Sequence, residues 1–144
     1  MPLNGEYTLG PEGFVRDMTV KILETGTSDS VNWGGRPVIL LTARGAKSGK
    51  LCRVPLMRVE HAGAFALVAS DGGAPTHPAW YHNLKAEPLV ELQDGTETND
   101  YRARELAGSE RAIWWERAVA AYPVYAELER KTTRVIPVLI LEKS

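Results

Sequence analysis

The stretch RPVILLTARGAKSGKLCRVPLMRVEHAGAFALVAS, residues 36–70, holds three apolar runs divided by two short polar turns. The first run, Arg36–Arg44, is β-branched and leucine-rich without alternation and is too short for a helix. That is the pattern of a strand buried on both faces. GAKSGK, Gly45–Lys50, is the turn that follows. The second run, Leu51–Glu60, carries Pro55, which assigns it to a sheet edge, a bulge, or a place where a backbone donor is unwanted. His61–Gly63 turn the chain into AFALVAS, whose alternation predicts a third strand. Three consecutive strands joined by short turns predict an antiparallel meander rather than βαβ units.

Working outward, ASDGGAPTHPAWYHNLKAEP (residues 69–88) reads as a small-residue loop leading into a short helix over Pro78–Ala86. Thr76 or His77 stands at its cap and Glu87-Pro88 at its end. LVELQDG and ETNDYRARELA form a hairpin with Asp94-Gly95 as the turn dipeptide. Ser109 caps a helix in which Ala112, Trp115, Val119 and Tyr122 have helical spacing, and Pro123 interrupts it. A helix over Val124–Lys131 precedes VIPVLILE, a buried closing strand. Upstream, Phe14, Met18 and Ile22, widened by Val15 and Leu23, mark one face of an amphipathic helix over Pro11–Glu24. Gly26–Gly35 is a Gly-rich, flexible connection anchored by Trp33. The expected architecture is α+β, a small barrel of about six mostly antiparallel strands with flanking helices. Residues 1–35 supply the N-terminal helix and connection, and residues 36–144 the barrel.

Composition narrows the function. The 144 residues fit one domain, and 17 Lys and Arg against 18 Asp and Glu give a net charge of -1, which offers no general attraction to nucleic acid. A single Cys excludes an internal disulfide and fits a reducing compartment. MPLNGEYTLGPEG lacks a basic stretch followed by an apolar core, and no apolar run approaches the roughly 18 residues of a membrane span. Cytoplasm is the expected location, with peripheral membrane association left open.

GAKSGK invites comparison with the phosphate loop G-x-x-x-x-G-K-[ST]. The spacing is short by one residue, Leu51 replaces the hydroxyl, and a strand rather than a helix follows, so nucleotide hydrolysis is rejected. What remains is Arg44, Lys47, Lys50 and Arg53 with Ser48 and glycine amides between them. Such a turn holds a phosphate or carboxylate, or is a solvated hairpin tip. His77 and His82 do not share a helical face and no third ligand has metal spacing, so no metal is expected. No G-x-S-x-G or H-E-x-x-H occurs. Cys52 sits in a strand without a positioned base and reads as an inert thiol. Trp114 and Trp115 read as packing residues, whereas Tyr125, just beyond Pro123, serves either packing or a cavity.

PVILLTARGAKSGK, RVPLM, VASDGGAPTHPAWYHNLKAEP, AYPVYAELERKT and RVIPVLILE together resemble the deazaflavin (coenzyme F420)-dependent nitroreductase family, also described as F420-dependent quinone reductases, a group of small actinobacterial enzymes. The resemblance covers Arg36–Glu142. It implies a split β-barrel like that of flavin reductases and pyridoxamine-phosphate oxidases, with coenzyme F420 as cofactor and FMN as the less favoured alternative. The cofactor's flat tricycle and its phosphate and polyglutamate charges match the two chemistries left open above. By resemblance, the turn and strand from Lys47 and Ser48 through Cys52, Arg53, Val54, Pro55 and Leu56 receive the phosphate and tail. Val68, Ala69, Ser70, Asp71 and Gly72 line the ring, Ala79, Trp80, Tyr81, His82 and Asn83 complete the pocket, and Tyr125 closes it.

The implied reaction is hydride transfer from reduced F420 to an activated alkene, quinone or nitro-aromatic, with solvent or Tyr125 supplying the proton. Cys52, Asp71, Met57 and Leu128 depart from the residues other members often carry, and the last two favour an enone or quinone over a nitroimidazole. An FMN enzyme and a non-catalytic binder of F420 or a small lipophile are the rival readings. A monomer and a homodimer are both compatible with the sequence.

Overall fold

The computed structural model describes residues 3, 5–8 and 12–144. Its elements are β1 (Tyr7–Thr8), α1 (Phe14–Thr25), β2 (Val38–Arg44), β3 (Leu51–Met57), β4 (Glu60–His61), β5 (Ala64–Val68), α2 (Ala79–Ala86), β6 (Leu89–Asp94), β7 (Glu97–Glu105), α3 (Gly108–Ala121), α4 (Val124–Lys131) and β8 (Val138–Lys143). The strands form a single sheet in the order β1-β3-β2-β6-β7-β8-β5-β4, so the count is eight rather than about six. The two additional strands, β1 and β4, are two residues each, too short to leave a periodic signal.

The expected meander is present but bent in its middle strand: β3 pairs antiparallel with β2, and the end of the same run, as β4, pairs antiparallel with β5, whose other partner is β8. The run Leu51–His61 changes partner midway: the Arg58 amide donates to Pro37 O at 3.2 Å, and Val59 O accepts from Ala66 at 2.9 Å. One continuous chain thus joins the two ends of the strand order and closes the sheet into a barrel that stays open along part of β3. The Arg58 guanidinium locks the crossing with a two-pronged pair to Asp94 at 2.9 and 3.0 Å.

Alternation explains why the strands read as unbroken apolar runs. Ile39 and Leu41 on β2, Phe65 and Leu67 on β5, and Leu139 and Leu141 on β8 fill the barrel. Their neighbours Ala66, Val68, Val138 and Ile140 face outward, where Trp114 and Ala118 of α3 and Tyr125 of α4 cover them. Val38 and Leu40 are covered by Met18 and Ile22 of α1. Both faces are therefore buried along β2, β5 and Val138–Leu141 of β8.

Several local expectations shift. Asp94 pairs with Glu97, so the hairpin turn is Gly95-Thr96, with Gly95 at φ 63°. Ser109 lies inside α3, and neither α3 nor α2 has a side-chain cap. Trp114 and Ala118 are α3's buried residues, while Ala112 is exposed. α1 begins at Phe14, and Pro11 of the expected span lies outside the described residues. The connection after α1 is pinned: fully buried Ser28 donates its amide to Gly95 O at 3.0 Å, and its hydroxyl accepts from the Gly95 amide at 2.7 Å. Among the described residues no helix is long and apolar enough to cross a membrane.

Candidate functional site

A cavity of about 340 Å³ opens beside β3. β1 pairs with β3 only at Leu51 and Cys52, so no described strand covers the same edge from Arg53 to Met57. Pro55 sits on this edge, where its missing N–H costs no ladder bond. Val54, Pro55, Leu56 and Met57 form one wall, and Val68, Ser70, Asp71 and Gly72 form the next. Pro78 and Trp80 come from the start of α2; Tyr122, Tyr125 and Leu128 from the α3–α4 corner; Val15 and Trp33 from the N-terminal segment.

Local sequence dictates much of this. Pro123 cannot donate within a continuing helix, so α3 stops and α4 starts in a new direction. At the corner Tyr122 and Tyr125 meet edge to face, 5.0 Å between ring centres. Arg36 holds the end of α3 by donating to Ala121 O at 2.6 Å. Burial, with Tyr122 adding to it, raises the Tyr125 phenol well above its ordinary value. In the loop, Asp71, Gly72 and Gly73 are successively left-handed at φ 47°, 64° and 81°. Asp tolerates that region better than most residues, which lets the backbone double back against α4.

The basic turn is a separate structure at the foot of the same strand. Gly45 donates to Lys50 O at 2.8 Å, and the Ser48 hydroxyl accepts from the Lys50 amide at 3.1 Å. A Cβ on Gly45 would lie 2.8 Å from Ser48 Oγ and 3.2 Å from Lys50 O, so the turn closes this tightly only around glycine. The Ala46 amide donates to Asn83 Oδ1 at 2.9 Å, tying the turn to α2. Trp80 and Asn83 are three apart on that helix and share a face, so cavity wall and basic turn are held by one element. Among the described residues Lys47 makes no ion pair. Lys50 reaches Glu6 only at 3.9 Å, and the Arg53 guanidinium lies 3.8 Å from the centre of the Tyr7 ring.

The structure therefore sorts the sequence candidates into three places. Val54, Pro55, Leu56, Val68, Ser70, Asp71, Gly72, Trp80 and Tyr125 face the cavity. Lys47, Ser48, Cys52, Arg53 and Asn83 belong to the turn and its supports, Cys52 being half-buried with Sγ 3.7 Å from Lys50 O. Ala69, Ala79, Tyr81 and His82 do neither. Ala69 is fully buried and Ala79 exposed. Tyr81 turns its hydroxyl to Glu105 at 2.7 Å, and burial with that carboxylate pushes its phenol up to about 12. His82 is exposed beside His77 and Tyr81.

Trp33, Pro78 and Tyr122 line the cavity without having been singled out for it. Trp33, alone in a Gly-rich stretch, and Tyr122, next to the helix-breaking proline, were the available signals. Asp71 is exposed at the rim and makes no ion pair with Lys47 or Arg53. Among the described residues no group of three or more His, Cys, Asp or Glu is arranged to hold a metal.

Comparison with known proteins adds a family. The model of the F420H(2)-dependent quinone reductase family matches residues 14–143. The F420H(2)-dependent quinone reductase Rv1261c of Mycobacterium tuberculosis is 32% identical over 113 residues, 76% of each chain. A solved F420-H2 dependent reductase (FDR-A) is 58% identical, with a TM-score of 0.70 over 74% of this chain and 95% of its own. Another solved structure, a domain-swapped dimer, is 56% identical, with a TM-score of 0.73 over 88% of this chain and 96% of its own. At 15% identity and a TM-score of 0.51, a pyridoxinephosphate oxidase family protein of Clostridium acetobutylicum shares the fold alone. It covers 88% of this chain and 85% of its own, in keeping with the split barrel.

Proposed function

Because the chain belongs to the F420H(2)-dependent quinone reductase family, and is accordingly an F420-dependent reductase, we propose that the cavity holds the deazaflavin ring and a small acceptor while the basic turn takes the anionic tail. The observation that carries this reading is the shared support of the two places. Trp80 on the cavity wall and Asn83 under the turn stand on one face of α2, so one helix supports both the apolar slot and the cationic loop.

The residues fit the group. Aromatic and aliphatic walls suit a flat ring, and Lys47 with the turn's amides suits phosphate and carboxylate oxygens. When bound, reduced F420 supplies the hydride. The protein's own share is to orient ring and acceptor and to exclude water. Trp33, Tyr122, Tyr125 and Val54–Met57 line the slot and serve that orientation. The acceptors we favour are quinones and enones, because Met57 and Leu128, which lack polar groups, form part of the wall. The raised Tyr125 phenol stays protonated, so it donates one ordinary hydrogen bond to the carbonyl oxygen of the bound acceptor, and solvent delivers the proton. We also propose a homodimer, on the example of the 56%-identical relative that is a domain-swapped dimer.

Titration of the purified chain with F420 and with FMN tests the cofactor assignment. Micromolar binding of F420 with at least tenfold weaker FMN binding supports it; the reverse order overturns it.

A further inference from the structure

Arg134, in the connection between α4 and β8, lines no part of the cavity, yet it gathers the loop that does. Its Nε donates to Ala74 O at 2.9 Å, and one terminal nitrogen donates to Ala69 O at 3.1 Å and Ser70 O at 2.8 Å. The other terminal nitrogen lies 2.9 Å from His77 Nδ1. A guanidinium can only donate, so Nδ1 must accept with its lone pair, which fixes His77 as the neutral tautomer carrying its proton on Nε2. The loop so clasped includes the left-handed residues Asp71–Gly73, and Ser70, Asp71 and Gly72 are its contribution to the cavity wall. Inside the loop the backbone bonds among the described residues are Gly73 N to Ser70 O at 2.9 Å and Ala74 N to Asp71 O at 3.1 Å, and at its start the Ala69 amide donates to Pro137 O at 2.9 Å. Of the three left-handed residues only Asp71 carries strain, and the two glycines make the segment pliable, so the guanidinium's bonds select one conformation among several.

We propose that Arg134 and His77 form a pH-sensitive clasp that sets the 69–77 loop in its F420-binding conformation, so that protonation of His77 loosens the loop and weakens the cofactor. This rests on the cofactor assignment above for its binding readout only.

The groups facing His77 are Arg134 from the connection, Tyr81 and His82 from α2, and Glu105 from β7. Burial, the Arg134 charge and His82 favour the neutral ring; Glu105 opposes them, and the balance lowers the His77 pKa. In an opened loop the imidazole returns toward about 6.5. The clasp is therefore fully present above that value and is lost as pH falls below it toward the lowered value of the closed loop. In Arg134→Gln the fork is lost. In His77→Asn the amide oxygen still accepts from Arg134 but does not titrate.

Hydrogen exchange on the full chain without cofactor is the independent readout. At pH 7.5 the peptides covering 69–77 should exchange about tenfold faster or more in Arg134→Gln, with β5, β8 and α3 unchanged. Arg134→Lys, which keeps the charge without the fork, replaces it should that variant not fold. Unchanged exchange in this segment overturns the clasp. For the intact protein, F420 affinity should fall several-fold between pH 7.5 and 5.5, and His77→Asn should flatten that profile while keeping the affinity seen at pH 7.5. A His77→Asn profile as steep as that of the natural chain also overturns it. If the natural chain binds no F420, the cofactor assignment fails and the exchange measurement alone decides the clasp.

Discussion

Asn83 Oδ1 accepts the amide of Ala46 at 2.9 Å, and through this bond a helix that walls the cavity also fixes the turn that carries Lys47. Asn83→Ala should leave the barrel intact, since the contact is exposed, but let the turn drift. A loss of about 1 kcal/mol in F420 binding follows from one neutral hydrogen bond. Lys47→Ala, which removes a charged donor, should cost more, about 1.5–3 kcal/mol. Fluorescence titration of both variants checks the order; an unchanged dissociation constant for Lys47→Ala would make the turn mere solvated surface.

Asp71 places a negative charge on the rim of a site for an anionic cofactor, in a left-handed conformation at φ 47°. Asn accepts the same backbone, so Asp71→Asn removes the charge without new strain. F420 should bind more tightly by about 0.5–1 kcal/mol at low salt, and the gain should shrink as ionic strength rises. Equal affinities at low salt would show that the carboxylate points away from the bound tail.

Tyr125→Phe separates wall from acid. The ring fills the same buried place, so the variant should fold, and with solvent as proton source kcat should stay within about tenfold of the natural value, the loss being one hydrogen bond. A drop of about 10²–10⁴, typical of a missing general acid, would assign the proton to Tyr125 instead.

Glu105 ties α2 to β7 by accepting from Tyr81 at 2.7 Å and from Lys85 at 3.1 Å. Burial raises its pKa, but these two donors outweigh burial and hold the carboxyl below its ordinary value. A depressed carboxyl stabilises the fold above its unfolded value of about 4.3 and loses that contribution as pH falls through the folded value. Because solvent screens the group, the contribution is about 0.5–1 kcal/mol. Glu105→Gln should therefore melt lower than the natural chain at pH 7, and the difference should close below about pH 4; a difference that persists in acid would point to packing.

The strands of residues 36–70 were legible because each is a short apolar run bounded by turn residues. Their partners were legible only in part. The second and third runs lie next to each other in sequence, yet the barrel closes by the switch at Arg58–Val59, and nothing local to those residues signals it. Ser28 and Gly95 pin the Gly-rich connection from 67 residues apart, which its composition conceals. At the site, resemblance brought together residues that the fold then separates. Trp80 faces the cavity while its neighbour Tyr81 turns away, because a carboxylate on β7 waits on the other side of α2. Arg134 was invisible for a different reason: three of its four bonds go to backbone carbonyls, which no side-chain pattern announces.

The most direct measurement is to mix the purified chain with reduced F420 and menadione and follow the return of the oxidised cofactor's absorbance. Reoxidation in proportion to enzyme concentration, lost without acceptor and weakened by Lys47→Ala at low cofactor, is the predicted result. Tight binding of F420 with no enzyme-dependent reoxidation by menadione or cyclohexenone would contradict the reductase and leave a protein that only carries the cofactor.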